Sequence, residues 1–129
     1  MAVSPESQAQ SSLLKQGAGW RVGYRPAHTF TALVGSDRWA VELTASEWQA
    51  FAHGLRSLEQ AMTEAATHLM AGESITLEHT TNELTLTATG DPSSYQLFLQ
   101  LHTGRRAEGG WDPESVRPLM QAVKTLIGA

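Results

Sequence analysis

The sequence predicts an α+β protein made of two antiparallel β meanders, each followed by an α helix, a pseudo-duplicated arrangement. Three observations carry that prediction. Apolar and polar residues alternate in short runs from Trp20 to Leu43 and again from Ile75 to His102, the period of half-buried strands. Each region then gives way to apolar residues spaced by three and four, the period of a helix. Clusters of Gly, Pro, Asp, Asn and Ser punctuate the runs. Strands grouped ahead of a helix, rather than alternating with helices one by one, belong to antiparallel sheets.

Taken in order, Trp20, Val22 and Tyr24 alternate with Arg21, Gly23 and Arg25, and Pro26 closes the strand. Phe30 to Val34 forms a second strand, ended by the turn residues Gly35, Ser36 and Asp37. Trp39, Val41 and Leu43 form a third that runs directly into a helix. Thr44 followed by Glu47 is a capping box, and Leu43 is placed to staple onto Trp48. Trp48, Phe51, Leu55, Leu58, Met62, Ala65 and Leu69 make one apolar stripe that runs to Gly72. The expected helix is about 27 residues and roughly 40 Å long.

The pattern then restarts. Ile75, Leu77 and His79 alternate with Thr76 and Glu78, Thr81-Asn82 turns the chain, and Leu84, Leu86 and Ala88 alternate with threonines. Gly90 to Ser93 turns it again into Tyr95, Leu97, Leu99 and Leu101, which face opposite to Gln96, Phe98, Gln100 and His102. Asp112-Pro113 marks the start of a last helix, with Asp112 as N-cap. Val116, Leu119, Met120, Val123, Leu126 and Ile127 supply its buried face, Gly128 ends it, and Pro118 is expected to distort its first turn. Residues 1–16 read as a frayed polar tail and residues 17–129 as one domain with pseudo-repeats 17–72 and 73–129. Each helix is expected to cover the apolar side of the meander that precedes it.

Composition narrows the chemistry. A chain of 129 residues, 41% hydrophobic, suits one core that folds without staples. Cysteine is absent, which excludes disulfide and thiolate chemistry. Met1 to Gln16 lacks a charged start followed by an apolar stretch, and no apolar run approaches the roughly 20 residues of a membrane span, so a cytoplasmic protein without membrane association is expected. The net charge of −4 argues against strong nonspecific binding of nucleic acid. Its distribution is uneven: Lys15, Arg21, Arg25 and Arg38 accompany only Asp37 in the first meander, whereas Glu73, Glu78, Glu83 and Asp91 have no cation near them in the second.

Candidate chemistry is sparse. His102 to Trp111, "HTGRRAEGGW", sets Arg105 and Arg106 among glycines ahead of a helix. It lacks the residue order of a nucleotide-binding loop, and Asp112 competes with a phosphate for the helix N-terminus. The stretch reads as a joint in which glycines bend a sheet edge, with both arginines available to an anionic partner. No two of His28, His53, His68, His79 and His102 stand at metal-ligand spacing on a helix, so no metal is expected, and His53 and His68 fall on the solvent side. Neither a nucleophile elbow nor a carboxylate pair suggests catalysis. Only a deep pocket lined by perturbed titratable groups would revive an enzyme. Trp39 and Trp48 sit in core patterns, while Trp20 and Trp111 lie at element ends and are expected to be partly exposed. The face away from the apolar rows carries Arg21, Arg25, Thr85, Thr87, Gln96, Phe98, Gln100 and His102. Such a mixture holds single-stranded nucleic acid by stacking and charge, and it equally describes an ordinary solvated face.

The segments "LLKQGAGWRVGY", "LVGSDRWAVELTASEW" and "LQLHTGRRAEGGW" resemble those of a family of small cyanobacterial proteins of unknown function, over about residues 13–127. The resemblance implies a fold similar to the Whirly group of single-stranded-DNA-binding transcriptional regulators, in which two sheet-and-helix units associate through their helices. One chain here would supply both units. The Lys-Gly-Lys-Ala type motif of Whirly proteins has no counterpart, and Lys15 and Lys124 are the only lysines, so no functional residue carries over. The expectation is a noncatalytic binding or regulatory module without cofactor, monomeric or homodimeric. Single-stranded nucleic acid is its first candidate ligand, at Arg21, Arg25, Phe98, Arg105 and Arg106, and a protein-interaction adaptor without nucleic-acid binding is the alternative.

Overall fold

The structure, a computed structural model, describes residues 13–128. Its elements are β1 (Leu13–Gly17), β2 (Trp20–Tyr24), β3 (Phe30–Gly35), β4 (Ala40–Thr44), α1 (Ala45–Ala65), β5 (Ile75–Thr80), β6 (Leu84–Asp91), β7 (Ser94–Leu101), β8 (Glu108–Trp111) and α2 (Pro113–Gly128). Strands β1 to β4 form one four-stranded sheet in sequence order, sheet A, and β5 to β8 form a second, sheet B; every pairing is antiparallel. The fold is therefore α+β with two meanders, each followed by a helix, as the periodicities predict.

Each meander has one strand more than the periodicity marks. Leu13–Gly17, its residues 13–16 expected inside the tail, is an edge strand paired along its length with β2, from Leu13 opposite Tyr24 to Gly17 opposite Trp20. An edge strand has one neighbour and is solvated elsewhere, so its sequence shows little alternation. The rest of the expected tail, residues 1–12, lies outside the described residues. At the other end, Glu108–Trp111 pairs with β7 although it holds two glycines. Packing overrides its low strand propensity: a Cβ on Gly109 would run into the Trp39 indole, so only glycine admits that ring.

Helix α1 begins at the capping box as expected. Glu47 Oε1 accepts from the Thr44 N–H at 2.8 Å, and Thr44 Oγ1 accepts from the Glu47 N–H at 3.3 Å. It spans 21 residues and stops at Ala65, short of the expected end near Gly72. The Thr67 N–H and hydroxyl both turn back to the Glu64 carbonyl, at 3.2 and 2.8 Å, replacing helical bonds with a tighter turn. Beyond it Met70 is exposed, so no core surface remains to hold a further turn. Helix α2 runs unbroken through Pro118, whose ring lies on the exposed side, so the expected distortion does not interrupt it.

The helices do not each cover only their own sheet. Helix α1 packs on β3 and β4 of sheet A and on β5 and β6 of sheet B, while α2 packs on β1 and β2 as well as on β7. Its length explains this: 21 residues span about 30 Å, more than one small sheet accommodates. A single core results, in which Val22, Val34 and Leu43 of sheet A and Leu84, Leu86, Leu97 and Leu99 of sheet B share Phe51, Leu55, Leu58 and Met62. Gly54 permits the closest approach, since a Cβ there would lie 2.7 Å from Leu86 Cδ1 and 2.9 Å from His79 Cδ2.

Two tryptophans join the sheets reciprocally. Trp39 Nε1 donates to the Gly110 carbonyl of sheet B at 3.0 Å, and Trp111 Nε1 donates to the Gly35 carbonyl of sheet A at 2.8 Å. Their rings lie 4.8 Å apart, and Phe51, Trp48 and Tyr24 continue the aromatic row. Trp111, expected to be partly exposed, is therefore only 2% exposed. Its place at an element end put it at the junction between sheets rather than in solvent.

Candidate functional site

The Gly-Arg loop between β7 and β8 is a joint. Thr103 Oγ1 donates to Glu47 Oε2 at 2.9 Å, and the Arg105 guanidinium donates to Glu47 Oε1 and to the Glu42 carbonyl, the latter at 2.7 Å. The same guanidinium lies over the Phe30 ring, 4.9 Å from its centroid. Both oxygens of Glu47, a residue 2% exposed, are thus engaged at the start of α1. Burial pushes this carboxyl up, but the hydrogen bonds from Thr44, Arg105 and Thr103 and the charge of Arg105 outweigh it, holding the group below the ordinary value. At α2, Ser115 N–H goes to the main-chain oxygen of Asp112 at 2.9 Å rather than to its carboxylate.

The five residues singled out for binding do not form one surface. Arg25 and Arg105 come together around Glu42: Arg25 meets its carboxylate at 3.2 Å while Arg105 takes its carbonyl. Arg21 lies one strand length away, its Nε donating to the Ser36 carbonyl at 3.1 Å. Arg106 sits exposed in the loop at φ 48°. Phe98 belongs to sheet B, opposite Thr87 and Gly110.

The outer faces of the two sheets differ in chemistry. On sheet B the cross-strand rows read Thr76, Thr89, Gln96, then Glu78, Thr87, Phe98, Gly110, then Thr80, Thr85, Gln100, Glu108. Hydroxyls pair within them, Thr76 with Thr89 at 3.2 Å and Thr80 with Thr85 at 3.0 Å, and His102 Nε2 lies 2.6 Å from Thr85 Oγ1. No cation occurs in these rows. On sheet A the corresponding row is Leu14, Gly23, Leu33, Glu42. Leu14 is 62% and Leu13 41% exposed, and with Gly23, Leu33, Arg25 and Glu42 they line a shallow depression of about 270 Å³. Alternation alone does not reveal this row, because its exposed end, Leu14, belongs to the unmarked strand β1.

A smaller chamber, about 120 Å³, lies between α1, the β6–β7 turn and the first half of α2. Met62, Val116 and Met120 form its apolar wall, with Tyr95, Glu59 and Arg117 beside them. Residue spacing carries no signal for it, since these residues come from three separate elements. Elsewhere, His53 and His79 rings stand 5.4 Å apart, and burial, followed by the nearby His53, lowers the His79 pKa. No group of three or more metal-ligating side chains occurs among the described residues, and no helix there is long and apolar enough to cross a membrane.

No curated protein matches the chain. Among solved structures it is similar to the crystal structure of a protein of unknown function from Prochlorococcus sp. NATL2A, described as of the DUF155 family. That likeness has a TM-score of 0.83 at 28% identity and covers 88% of this chain and 98% of the other. The expected tie to a cyanobacterial protein of unknown function thus has a solved counterpart. Residues 15–126 match the family described as a domain of unknown function, DUF1818, and the chain belongs to that family.

Proposed function

We propose that the protein is a noncatalytic binding module that takes an extended, acidic segment of a protein partner alongside β1. The observation that carries this reading is the edge of sheet A: among the described residues β1 pairs on one side only, and Leu13 and Leu14 stand exposed beside the depression over Gly23. An added strand would gain main-chain hydrogen bonds at that edge and lay alternate side chains against Leu14, at the rim of the depression over Gly23. The cations Lys15 and Arg21 favour carboxylates on the incoming segment. Self-pairing is disfavoured, because two β1 strands in full antiparallel overlap would set Lys15 against Lys15.

The second reading is single-stranded nucleic acid, supported by the resemblance to the Whirly group and the basic first meander. Electrostatics weighs against it. Arg25 and Arg105 are already bound to Glu42 and Glu47, and the sheet B face lacks cations to meet phosphates.

Isolation of the tagged chain from its native extract, with quantitative mass spectrometry, tests the first reading beside Leu14→Asp and Lys15→Glu. One reproducible protein partner is expected, with recovery falling about tenfold or more in both variants. Equal recovery in all three would overturn the reading. So would tight binding of labelled single-stranded DNA at about 50 mM salt that Arg21→Ala weakens.

A further inference from the structure

The chamber between α1, the β6–β7 turn and α2 is built unlike an ordinary packing defect. Its apolar wall is finished core: Met62, Val116 and Met120 are all buried. Against that wall stands the Tyr95 phenol, itself buried, whose hydroxyl has only the Met120 thioether as partner among the described residues, at 3.8 Å. Sulfur is a weak acceptor, so the hydroxyl keeps most of its capacity to donate to an oxygen.

Two opposite charges border the same space from facing helices. Arg117 of α2 makes no ion pair and no side-chain hydrogen bond among the described residues. Glu59 of α1 is held through Oε1 by Lys124 at 2.8 Å, on the side where the two helices meet. Burial raises the Tyr95 pKa, with Glu59 adding to the rise and Arg117 opposing it, so the phenol stays protonated near neutral pH and both charges act on it. A space of about 120 Å³ takes roughly four waters at about 30 Å³ each, or a ligand of similar bulk.

We propose that this chamber binds a small zwitterion of the amino-acid class, its carboxylate on Arg117 and the Tyr95 hydroxyl and its ammonium on Glu59. A simple anion would satisfy Arg117 but meet the Glu59 carboxylate, and a simple cation would meet Arg117. Only a ligand carrying both charges answers both walls, and the methionines accommodate a side chain no larger than one or two carbons. The site lies away from the open edge of sheet A and needs no protein partner.

Titration of the full chain with L-alanine, acetate and ethylamine, followed by two-dimensional amide NMR, tests the assignment. L-alanine at millimolar concentration is expected to shift amides around Tyr95, Val116 and Arg117, and acetate and ethylamine to bind at least about tenfold more weakly. Arg117→Gln, on an exposed position, is expected to weaken alanine about tenfold or more, and Tyr95→Phe, which keeps the buried ring, about threefold to tenfold. No shift with alanine, equal binding of acetate, or unchanged alanine affinity in Arg117→Gln would each overturn the proposal.

Discussion

The two halves of this protein share a plan and differ in how they finish their outer faces. Sheet B has its longest strands, β6 and β7, at eight residues each, and its outer rows close on themselves through paired threonine hydroxyls. Sheet A has strands of five and six residues and an outer row that runs from exposed Leu14 across Gly23 to Leu33. Cross-strand polar pairs satisfy a solvated face and leave little for a partner to gain, whereas an apolar row at an open edge leaves both hydrogen bonds and area unclaimed. Duplicated architecture thus does not imply duplicated function, and the binding reading belongs to the first half alone.

Breaking what the halves share has the largest expected effect. Phe51 is wholly buried, 5.9 Å from Trp111, at the point where both sheets meet α1. Phe51→Ala is expected to cost about 3–5 kcal/mol in urea unfolding. Next comes the joint at the start of α1. Glu47→Ala removes the cap and leaves Arg105 and Thr103 without their acceptor, at an expected cost of about 2 kcal/mol, discounted because Arg105 is partly solvated. In a double-mutant cycle with Arg105→Ala, a coupling below about 0.5 kcal/mol would show that the loop is not fastened there.

Acid should loosen the fold in two steps. The His79 pKa is lowered from 6.5, so the unfolded chain takes up its proton first, and stability falls as pH drops from about 6.5 toward the folded value. The Glu47 pKa is lowered from 4.5, so its contribution is complete above that value and is lost as pH falls through the folded pKa. Thermal melts across this range are expected to show the first limb flatten in His79→Phe and the second shrink in Glu47→Gln, with the Asp91 carboxyl, also held below its ordinary value, leaving a remnant. The smallest effects sharpen the contrast between faces. Leu14→Asp on sheet A and Thr89→Ala on sheet B should each change stability by under about 0.5 kcal/mol, but only Leu14→Asp should lose the partner.

Most of the architecture could be read from residue spacing: six of the eight strands, both helices and the capping box at Thr44 and Glu47 lie where the patterns put them. What spacing missed has one physical cause, long-range packing. Strand β8 exists because Trp39 needs Gly109 beneath it, Trp111 is buried because sheet A offers it the Gly35 carbonyl, and α1 ends at Ala65 rather than at Gly72 because no core surface remains beyond the turn at Thr67. The candidate sites were less legible for the same reason. Arg105 looked available to an anion until Glu47, distant in sequence, claimed it, and the residues around Tyr95 meet only after both helices have docked.

The account rests on helices that each span both sheets, which makes the two halves one cooperative body. Native-state hydrogen exchange of the β3 and β7 amides measures this directly. Both sets are expected to open with the same free energy and the same denaturant dependence, because neither sheet keeps its core once a helix leaves. Separate opening free energies, with one sheet protected while the other exchanges, would contradict it.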